Sequence, residues 1–204
     1  MFVQIHPDDP DERKIQQIVN ILENGGVIVY PTDTVYALGC DITKSRAIER
    51  ICHLRKMDPG KANLTMICKD ISQLSSYTMP IETEVFRVLR RNLPGPFTFI
   101  FKANNTVPKL MKAKKNTVGI RIPKNNIALA LVEALGRPIL SISLKSDDEI
   151  AEYFTDPQDI FEDVGKLVDA VIDGGIGGHT PSTVVDCTGP SPEVIREGAG
   201  LDLL

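Results

Sequence analysis

The sequence predicts an α/β fold in three layers, in which a mixed sheet is flanked by helices. Segments rich in β-branched residues alternate along the chain with segments whose apolar residues recur every three to four positions. Such alternation is typical of strands and helices that pack as one sheet covered on both faces. The chain has 204 residues and no repeat or linker divides it, so we expect a single domain over residues 1–204.

The first helix and the first strand of this pattern are the clearest. In residues 11–26 four apolar side chains recur on one helix face, and Gly25 supplies the left-handed residue that ends a helix. The run VIVY at residues 27–30 is continuous and mostly β-branched, which predicts a strand buried on both faces. A strand of this kind belongs in a sheet that has helices on both sides.

The same two patterns predict further elements along the chain. Predicted helices are at residues 45–56, 82–92, 109–116 and 126–136, the first of them with Ser45 as its capping residue. Predicted strands are at residues 64–68, 97–103, 117–123 and 138–144. Residues 145–175 predict a loop with helices, and the glycine-rich segment 174–189 predicts a turn that runs into a strand.

Composition excludes several classes of protein. Hydrophobic residues make up 42% of the chain and charged residues 25%, which fits a folded domain rather than a disordered chain. No apolar run reaches the roughly 18 residues of a membrane span, and the acidic start MFVQIHPDDPDERK is unlike a signal segment, so we expect a cytoplasmic protein. Cys40, Cys52, Cys68 and Cys187 form no C-x-x-C pair, so we expect reduced, mostly buried thiols and no structural metal.

Basic residues cluster although the net charge is −4. The clusters lie at residues 54–61, 87–92 and 109–116. At 87–92 the pattern favours the solvated side of an amphipathic helix. The other two clusters leave open a local basic face for a nucleotide or nucleic acid, although the whole molecule has no net attraction for polyanions.

The segment PTDT at residues 31–34 is the first candidate site. Pro31 cannot donate to a sheet ladder, and Thr32 and Thr34 project to the same side of an extended chain. Ligands of open α/β sheets bind beyond such strand ends. The alternative is a proline turn in which Asp33 caps a helix over TVYAL.

Two later segments are further candidates. Ser182 and Thr183 lie where a glycine-rich loop enters a strand, and Arg196 follows an apolar pair, so these residues could hold a phosphate or carboxylate. Arg121 lies between Ile120 and Ile122 in an apolar strand. An arginine in that position meets either a buried acid or the carboxylate of a ligand.

Five separated motifs occur in one order along nearly the whole chain. They are YPTDTVYALGCD, PGPFTFIFKA, VGIRIP, PSTVVD and VIREGAG. In this order they resemble the YrdC/YciO family, whose best-known members are threonylcarbamoyl-adenylate synthases. The resemblance implies the YrdC-like fold, a twisted mixed sheet flanked by helices with a concave basic cleft.

The resemblance also implies a reaction. Members of the family join L-threonine, bicarbonate and ATP to give threonylcarbamoyl-AMP and pyrophosphate, the activated intermediate for N6-threonylcarbamoyladenosine in tRNA. Such a site holds two anions together and stabilises a leaving pyrophosphate, which requires hydroxyls and cations rather than a protein nucleophile. Mg²⁺ accompanies the triphosphate, and tRNA or double-stranded RNA is a further implied partner.

The resemblance assigns roles to ten residues of this chain, all of them polar or cationic. The residues implied to bind threonine are Thr34, Arg121, Ser143 and Ser182. The residues implied to bind the nucleotide are Thr117, Lys145 and Arg196. The residues implied to act in catalysis, facing the phosphates, are Arg55, Lys56 and Lys61.

Two departures from the synthase pattern resemble the YciO branch of the family. Synthases show K-G-R-P after the second helix, whereas this chain reads LRKMDPGKANL, with Met57 among the basic residues. Synthases show S-A-N near the nucleotide, whereas this chain has Ser143 followed two residues later by Lys145. An amide that donates and accepts is thereby replaced by a cation that only donates.

Two functional classes follow from this sequence. The first is an enzyme of the threonylcarbamoyl-AMP synthase type, with activity that the departures lower or alter. The second is a non-catalytic protein of the same fold that binds a nucleotide or double-stranded RNA. Release of pyrophosphate from ATP distinguishes the two.

Overall fold

The computed structural model describes residues 1–58, 64–109, 116–145 and 153–204. Its strands are β1 Phe2–Gln4, β2 Ile28–Tyr30, β3 Ala37–Asp41, β4 Thr65–Ile67, β5 Phe97–Lys102, β6 Thr117–Arg121, β7 Ile139–Ser143, β8 Ala170–Asp173, β9 Thr183–Asp186 and β10 Glu193–Arg196. Its α-helices are α1 Glu12–Glu23, α2 Ser45–Leu54, α3 Ile71–Ser75, α4 Thr83–Asn92, α5 Asn126–Leu135 and α6 Pro157–Val164. A short 3₁₀ helix covers Leu201–Leu203.

All ten described strands belong to one mixed sheet, as predicted. The strand order is β1-β8-β2-β3-β7-β4-β6-β5-β9-β10. Helices cover both faces and give the predicted three layers: α1 and α5 pack on one face, and α2, α3, α4 and α6 pack on the other. The longest described helix has 12 residues, so no helix in the described part of the chain is able to span a bilayer.

Local sequence explains where most elements begin and end. Helix α1 starts after Asp11, whose side chain accepts a hydrogen bond from the Lys14 amide at 3.0 Å, and Gly25 follows its end with a φ of 82°. Ser45 is the first residue of α2 rather than its cap, because the capping position is Lys44, which makes no side-chain capping bond. The four cysteines are free and mostly buried, and burial raises the pKa of each thiol.

Several predictions of individual elements were wrong. The helix over TVYAL, which the sequence left open as an alternative, does not form, because residues 37–41 form strand β3, which pairs antiparallel with β2. In the region predicted as loop and helices, residues 170–173 form strand β8, and the short strands β1 and β10 were not predicted. Most of the basic helix predicted at 109–116 lies outside the described residues.

The two halves of one sheet face differ in a way that positions the site. The core beneath α1 and α5 takes its strand residues from β1, β2, β3, β4, β7 and β8. No described residue of β5, β6, β9 or β10 contributes to that core. On the corresponding face of these four strands, no helix of the described residues is packed, and a cavity lies there.

Candidate active site

A cavity of about 420 Å³ occupies the uncovered half of this sheet face. Its floor consists of residues from β3, β7, β4, β6, β5, β9 and β10. Six of the described lining residues are serines or threonines: Thr65, Thr98, Thr117, Ser141, Ser143 and Ser182. Four carry a cationic group: Arg55, Arg121, Lys145 and Arg196. None of the described lining residues is acidic.

Strand alternation explains how these side chains converge. On β6, Thr117, Gly119 and Arg121 face the cavity, while Val118 and Ile120 point into the opposite core. The neighbouring strands keep the same register, since Thr65 on β4 pairs with Gly119 and also with Ser141 on β7. Residues distant in sequence thus form one continuous polar surface.

Arg121 is held at one end by a buried acid. Its Nη2 atom donates to Asp33 Oδ1 at 2.6 Å and to Thr34 Oγ1 at 3.0 Å, and both members of the ion pair have side chains that are only 8% exposed. Asp33 Oδ2 accepts from the Lys124 amide at 2.9 Å. Of the two partners that the sequence left open, the structure shows the buried acid.

Arg121 also retains unused donor capacity. Its Nε atom is buried and has no hydrogen-bond partner among the described residues. A buried donor without a partner costs free energy, and native structures rarely contain one without a reason. Because Arg121 lines the cavity, a ligand that accepts from it would supply the missing bond.

The two threonines of PTDT form a chain of hydrogen bonds behind Arg121. Thr32 Oγ1 donates to the Val35 carbonyl at 2.7 Å, so its contact of 3.1 Å with Thr34 Oγ1 is one in which Thr34 donates. The hydroxyls lie on the same side, as predicted, and Asp33 does not cap a helix because it pairs with Arg121. Thr34 is 3% exposed and is not among the described lining residues, so the structure places it behind the arginine rather than on the cavity surface.

Ser141 was not predicted, and a buried tyrosine orients it. The Tyr30 hydroxyl donates to Ser141 Oγ at 2.7 Å. Burial raises the pKa of Tyr30 far above its usual value, so the phenol keeps its proton and serves as the donor. The ring crosses strand β3 over Gly39, where a Cβ atom would lie 2.7 Å from Tyr30 Cε1. Ser141 can then direct its own proton towards the cavity.

Ser182 and Arg196 contact each other at the other side of the floor. Arg196 Nη2 donates to the Ser182 carbonyl at 2.7 Å and to Ser182 Oγ at 3.2 Å. Ser182 Oγ also lies 2.8 Å from Thr98 Oγ1. The register of β10 against β9 shifts between Val194 and Arg196, and Arg196 lines the cavity.

Arg55 and Lys145 lie together at another part of the rim. Arg55 follows the end of α2, and its Nη1 atom is 3.5 Å from the Lys145 carbonyl. The Lys145 ammonium lies 5.5 Å from the centre of the Tyr153 ring, within the range of a cation–π contact. Met57 lines the cavity near these cations.

The cavity thus brings together seven of the ten predicted site residues. They are Arg55, Thr117, Arg121, Ser143, Lys145, Ser182 and Arg196. Lys56 is exposed and is not among the described lining residues, and Lys61 lies outside the described residues.

Sequence reasoning missed other lining residues, although two of them carried a signal. Thr98 is the one polar residue within FTFIF, and Ser141 precedes Ser143 by two positions, which places both serines on one face of a strand. Thr65 and Tyr153 carried no comparable signal. Within the described ranges, no group of three or more His, Cys, Asp or Glu side chains is arranged to hold a metal ion.

The fold and cavity define a three-layer α/β domain whose open sheet face carries a polar cavity. The model of the Sua5/YciO/YrdC family, described as "Telomere recombination", matches residues 20–198. The protein YciO of Escherichia coli (strain K12) is 47% identical over 201 residues, which are 98% of this chain and 96% of that protein. The chain therefore belongs to the Sua5/YciO/YrdC family.

Solved structures agree with this assignment. The crystal structure of E. coli YciO matches with a TM-score of 0.91 and 46% identity, covering 98% of this chain and 96% of that chain. The crystal structure of P. abyssi Sua5 complexed with L-threonine matches with a TM-score of 0.87 and 28% identity. That match covers 97% of this chain and 57% of the Sua5 chain, so Sua5 extends well beyond the part it shares with this protein.

Proposed function

We propose that this protein is a synthase of the threonylcarbamoyl-AMP type, which joins L-threonine, bicarbonate and ATP and releases pyrophosphate. The observation that carries the proposal is Arg121, a buried arginine anchored on Asp33 whose Nε atom lacks a partner among the described residues while the side chain lines the cavity. The complex of P. abyssi Sua5 with L-threonine supports an amino acid as one of the ligands.

Arg121 is suited to the carboxylate of threonine. A guanidinium holds its donors in a rigid plane, and here Nη2 is already fixed by Asp33 and Thr34, which leaves the Nε donor for the carboxylate of a ligand. Fixing the arginine beforehand reduces the entropy lost on binding. Ser143 and Ser182, both on the cavity surface, would bind the remaining polar groups of the amino acid.

The other cations of the cavity are suited to the phosphates of ATP. Arg55, Lys145 and Arg196 line the cavity, and Thr117 adds a hydroxyl. Mg²⁺ would enter with the triphosphate, because the described lining residues include no carboxylate to hold it. This donor set fits a metal carried by the substrate.

The reaction requires positioning and charge stabilisation from these residues. Threonine and bicarbonate condense to a carbamate with loss of water, a carbamate oxygen attacks the α-phosphate of ATP, and the bond to pyrophosphate breaks. Negative charge develops on the departing pyrophosphate, where fixed cations stabilise the transition state. Lys145 and Met57, which replace residues of the synthase pattern, lower the rate or alter the choice of substrate.

A pyrophosphate-release assay tests the proposal. With ATP, bicarbonate and single amino acids, we expect release that depends on L-threonine and on bicarbonate. Arg196→Ala should weaken ATP binding more than tenfold, equivalent to about 1.4 kcal/mol, as measured by calorimetry. Arg87→Ala on the exposed face of α4 is the matched control and should leave both unchanged. No pyrophosphate above background with any amino acid would contradict the proposal.

The second candidate is a non-catalytic protein that binds a nucleotide or double-stranded RNA. Lys145 favours it, because a cation in place of an amide gains affinity for phosphates and loses an acceptor. RNA binding that falls steeply with salt and weakens in an Arg55→Ala/Lys145→Ala variant, without pyrophosphate release by wild-type protein, would favour this candidate.

A further inference from the structure

The centre of the cavity floor carries no side chain, because the residue there is Gly119. This glycine lies on β6 between Thr117 and Arg121, which face the cavity as it does. Ile100 of β5 pairs with it on one side and Thr65 of β4 on the other. Gly119 is therefore surrounded by lining residues on all four sides.

The protein has room for a side chain at this position. A Cβ atom built on Gly119 would lie 3.4 Å from Thr98 Cγ2 and 3.5 Å from Thr65 Oγ1, which are ordinary contact distances. Its φ is outside the left-handed region, so the backbone conformation does not require glycine. Since glycine weakens a strand interior, one that the fold does not require indicates the close approach of something else.

The ends of the floor on either side of Gly119 differ in their groups. Arg121 lies at the C-terminal end of β6. Ser143 lies at the opposite edge with Thr117, because β7 runs antiparallel to β4 and β4 runs parallel to β6. Lys145 follows Ser143 and lies beside Arg55. The Cα atoms of Thr117 and Arg121 are about 13 Å apart at the usual rise of a strand, so a ligand that reaches both must cross Gly119.

We propose that Gly119 is a specificity-determining residue that admits the linking atoms of a two-headed anionic ligand. One head binds at Arg121 and the other at the edge formed by Thr117 and Lys145, while the linking atoms lie against the Gly119 backbone. This inference rests on the proposed function for the identity of the heads, which are an amino acid carbamate and an adenylate. A methyl group at residue 119 would occupy the space of the link and leave both ends of the floor intact.

The test compares Gly119→Ala with Gly189→Ala. Gly189 is exposed, its added Cβ would meet only the Ser191 carbonyl at 3.9 Å, and it is not a described lining residue. Calorimetry measures the binding of L-threonine, of ATP, and of a sulfamoyl-linked analogue of threonylcarbamoyl-AMP, a stable two-headed ligand that keeps the threonine carboxylate free. For Gly119→Ala we expect the affinity for the analogue to fall about tenfold or more, with each single ligand unchanged within about twofold.

Thermal melting is a second measurement, for which a ligand-binding role and a structural role of Gly119 predict opposite changes. Alanine is better suited than glycine to a strand interior, so Gly119→Ala should melt at the same temperature as wild-type protein or higher. A structural role for Gly119 predicts the reverse, with lower melting temperature and equal losses for all three ligands, and that result would overturn the inference.

The remaining outcomes separate this inference from the proposed function. Binding of the analogue that is weakened by Gly119→Ala, without pyrophosphate release by wild-type protein, supports the inference and contradicts the synthase proposal. Pyrophosphate release by wild-type protein with unchanged analogue affinity in Gly119→Ala overturns the inference alone. Wild-type protein that fails to bind the analogue also overturns it, because no such ligand then crosses Gly119.

Discussion

Two of the aspartate–arginine pairs among the described residues, Asp41–Arg137 and Asp33–Arg121, differ in how completely their polar atoms are bonded. In the pair between Asp41 and Arg137, Nε donates to both carboxylate oxygens at 3.1 and 3.0 Å, Nη2 donates to Oδ2 at 2.5 Å, and Nη1 donates to the Leu135 carbonyl at 3.2 Å. Asp41 accepts two more bonds from the amide and hydroxyl of Thr43. This pair joins the end of β3 to the segment after α5.

In the pair between Asp33 and Arg121, the arginine is buried more deeply than Arg137 and is bonded less fully. The Arg121 side chain is 8% exposed, compared with 31% for Arg137, yet its Nε atom has no partner among the described residues. A buried ion pair whose arginine has spare donors is poorly justified by stability alone. We therefore infer that the Asp41–Arg137 pair stabilises the fold, whereas the Asp33–Arg121 pair positions an arginine for a ligand.

The strongest test of this difference is to remove Asp33, the acid paired with the cavity residue Arg121. Asp33→Ala leaves Arg121 buried without a counter-charge, so we expect the free energy of unfolding to fall by about 3–5 kcal/mol. The double variant Asp33→Ala/Arg121→Leu removes both charges and should recover much of that loss. Urea denaturation measures both. A loss below about 1 kcal/mol in Asp33→Ala would show that Arg121 has another partner, and the cavity assignment would fail.

The pair between Asp41 and Arg137 should make the stability of the protein depend on pH. Burial acts to raise the pKa of Asp41, but hydrogen bonds from Arg137 and Thr43 outweigh it and hold the pKa below its usual value of 3.8. A lowered pKa in the folded state stabilises the protein above the unfolded value, and this stabilisation disappears as the pH falls through the folded pKa. Asp41 should therefore contribute at neutral pH and not in acid.

Asp41→Asn tests this contribution because asparagine has the same shape and does not titrate. At about pH 7 we expect the variant to be less stable than wild-type protein by about 1.5–3 kcal/mol, the usual cost of a hydrogen bond to a charged group. The difference should shrink as the pH falls from about 5 towards about 2. Urea denaturation across this range measures it, and a difference independent of pH would show that the Asp41 carboxylate does not stabilise the fold through its charge.

Sequence periodicity predicted the parts of the fold in which local pattern and tertiary position agree. Helix α1 and strand β2 are such elements, because their apolar patterns match the faces they bury. Strand β8 was missed because a short apolar run reads equally as buried helix or strand, and only pairing decides. Its partner β1 lies at the other end of the chain, where Phe2 pairs with Val171.

The same limit applies to the site. Arg121 was identifiable because an arginine between two isoleucines in a strand requires an explanation, but the sequence offers 27 acidic residues as possible partners. The true partner, Asp33, is 88 positions away and is brought near by the loop between β2 and β3. Ser141 was missed because its orientation depends on Tyr30 crossing an intervening strand at Gly39. Such relations arise only from the three-dimensional packing.

The smallest expected effect extends the comparison to neutral groups, using two buried tyrosines. The Tyr30 hydroxyl donates to a cavity residue, Ser141, whereas the Tyr36 hydroxyl donates to the Gly175 carbonyl at 2.7 Å. Tyr30→Phe should cost about 0.5–1.5 kcal/mol in urea denaturation, because it removes one buried hydrogen bond. Tyr36→Phe should cost at least as much, because the Tyr36 hydroxyl also accepts from the Gly174 amide at 3.2 Å. Only Tyr30→Phe should also weaken L-threonine binding, by about threefold in calorimetry, since Ser141 then no longer directs its proton into the cavity. Equal threonine affinity in both variants would show that Ser141 is only a structural partner of Tyr30. Arg121, whose Nε atom has no partner among the described residues, would then be the one residue of this comparison that still indicates a ligand site.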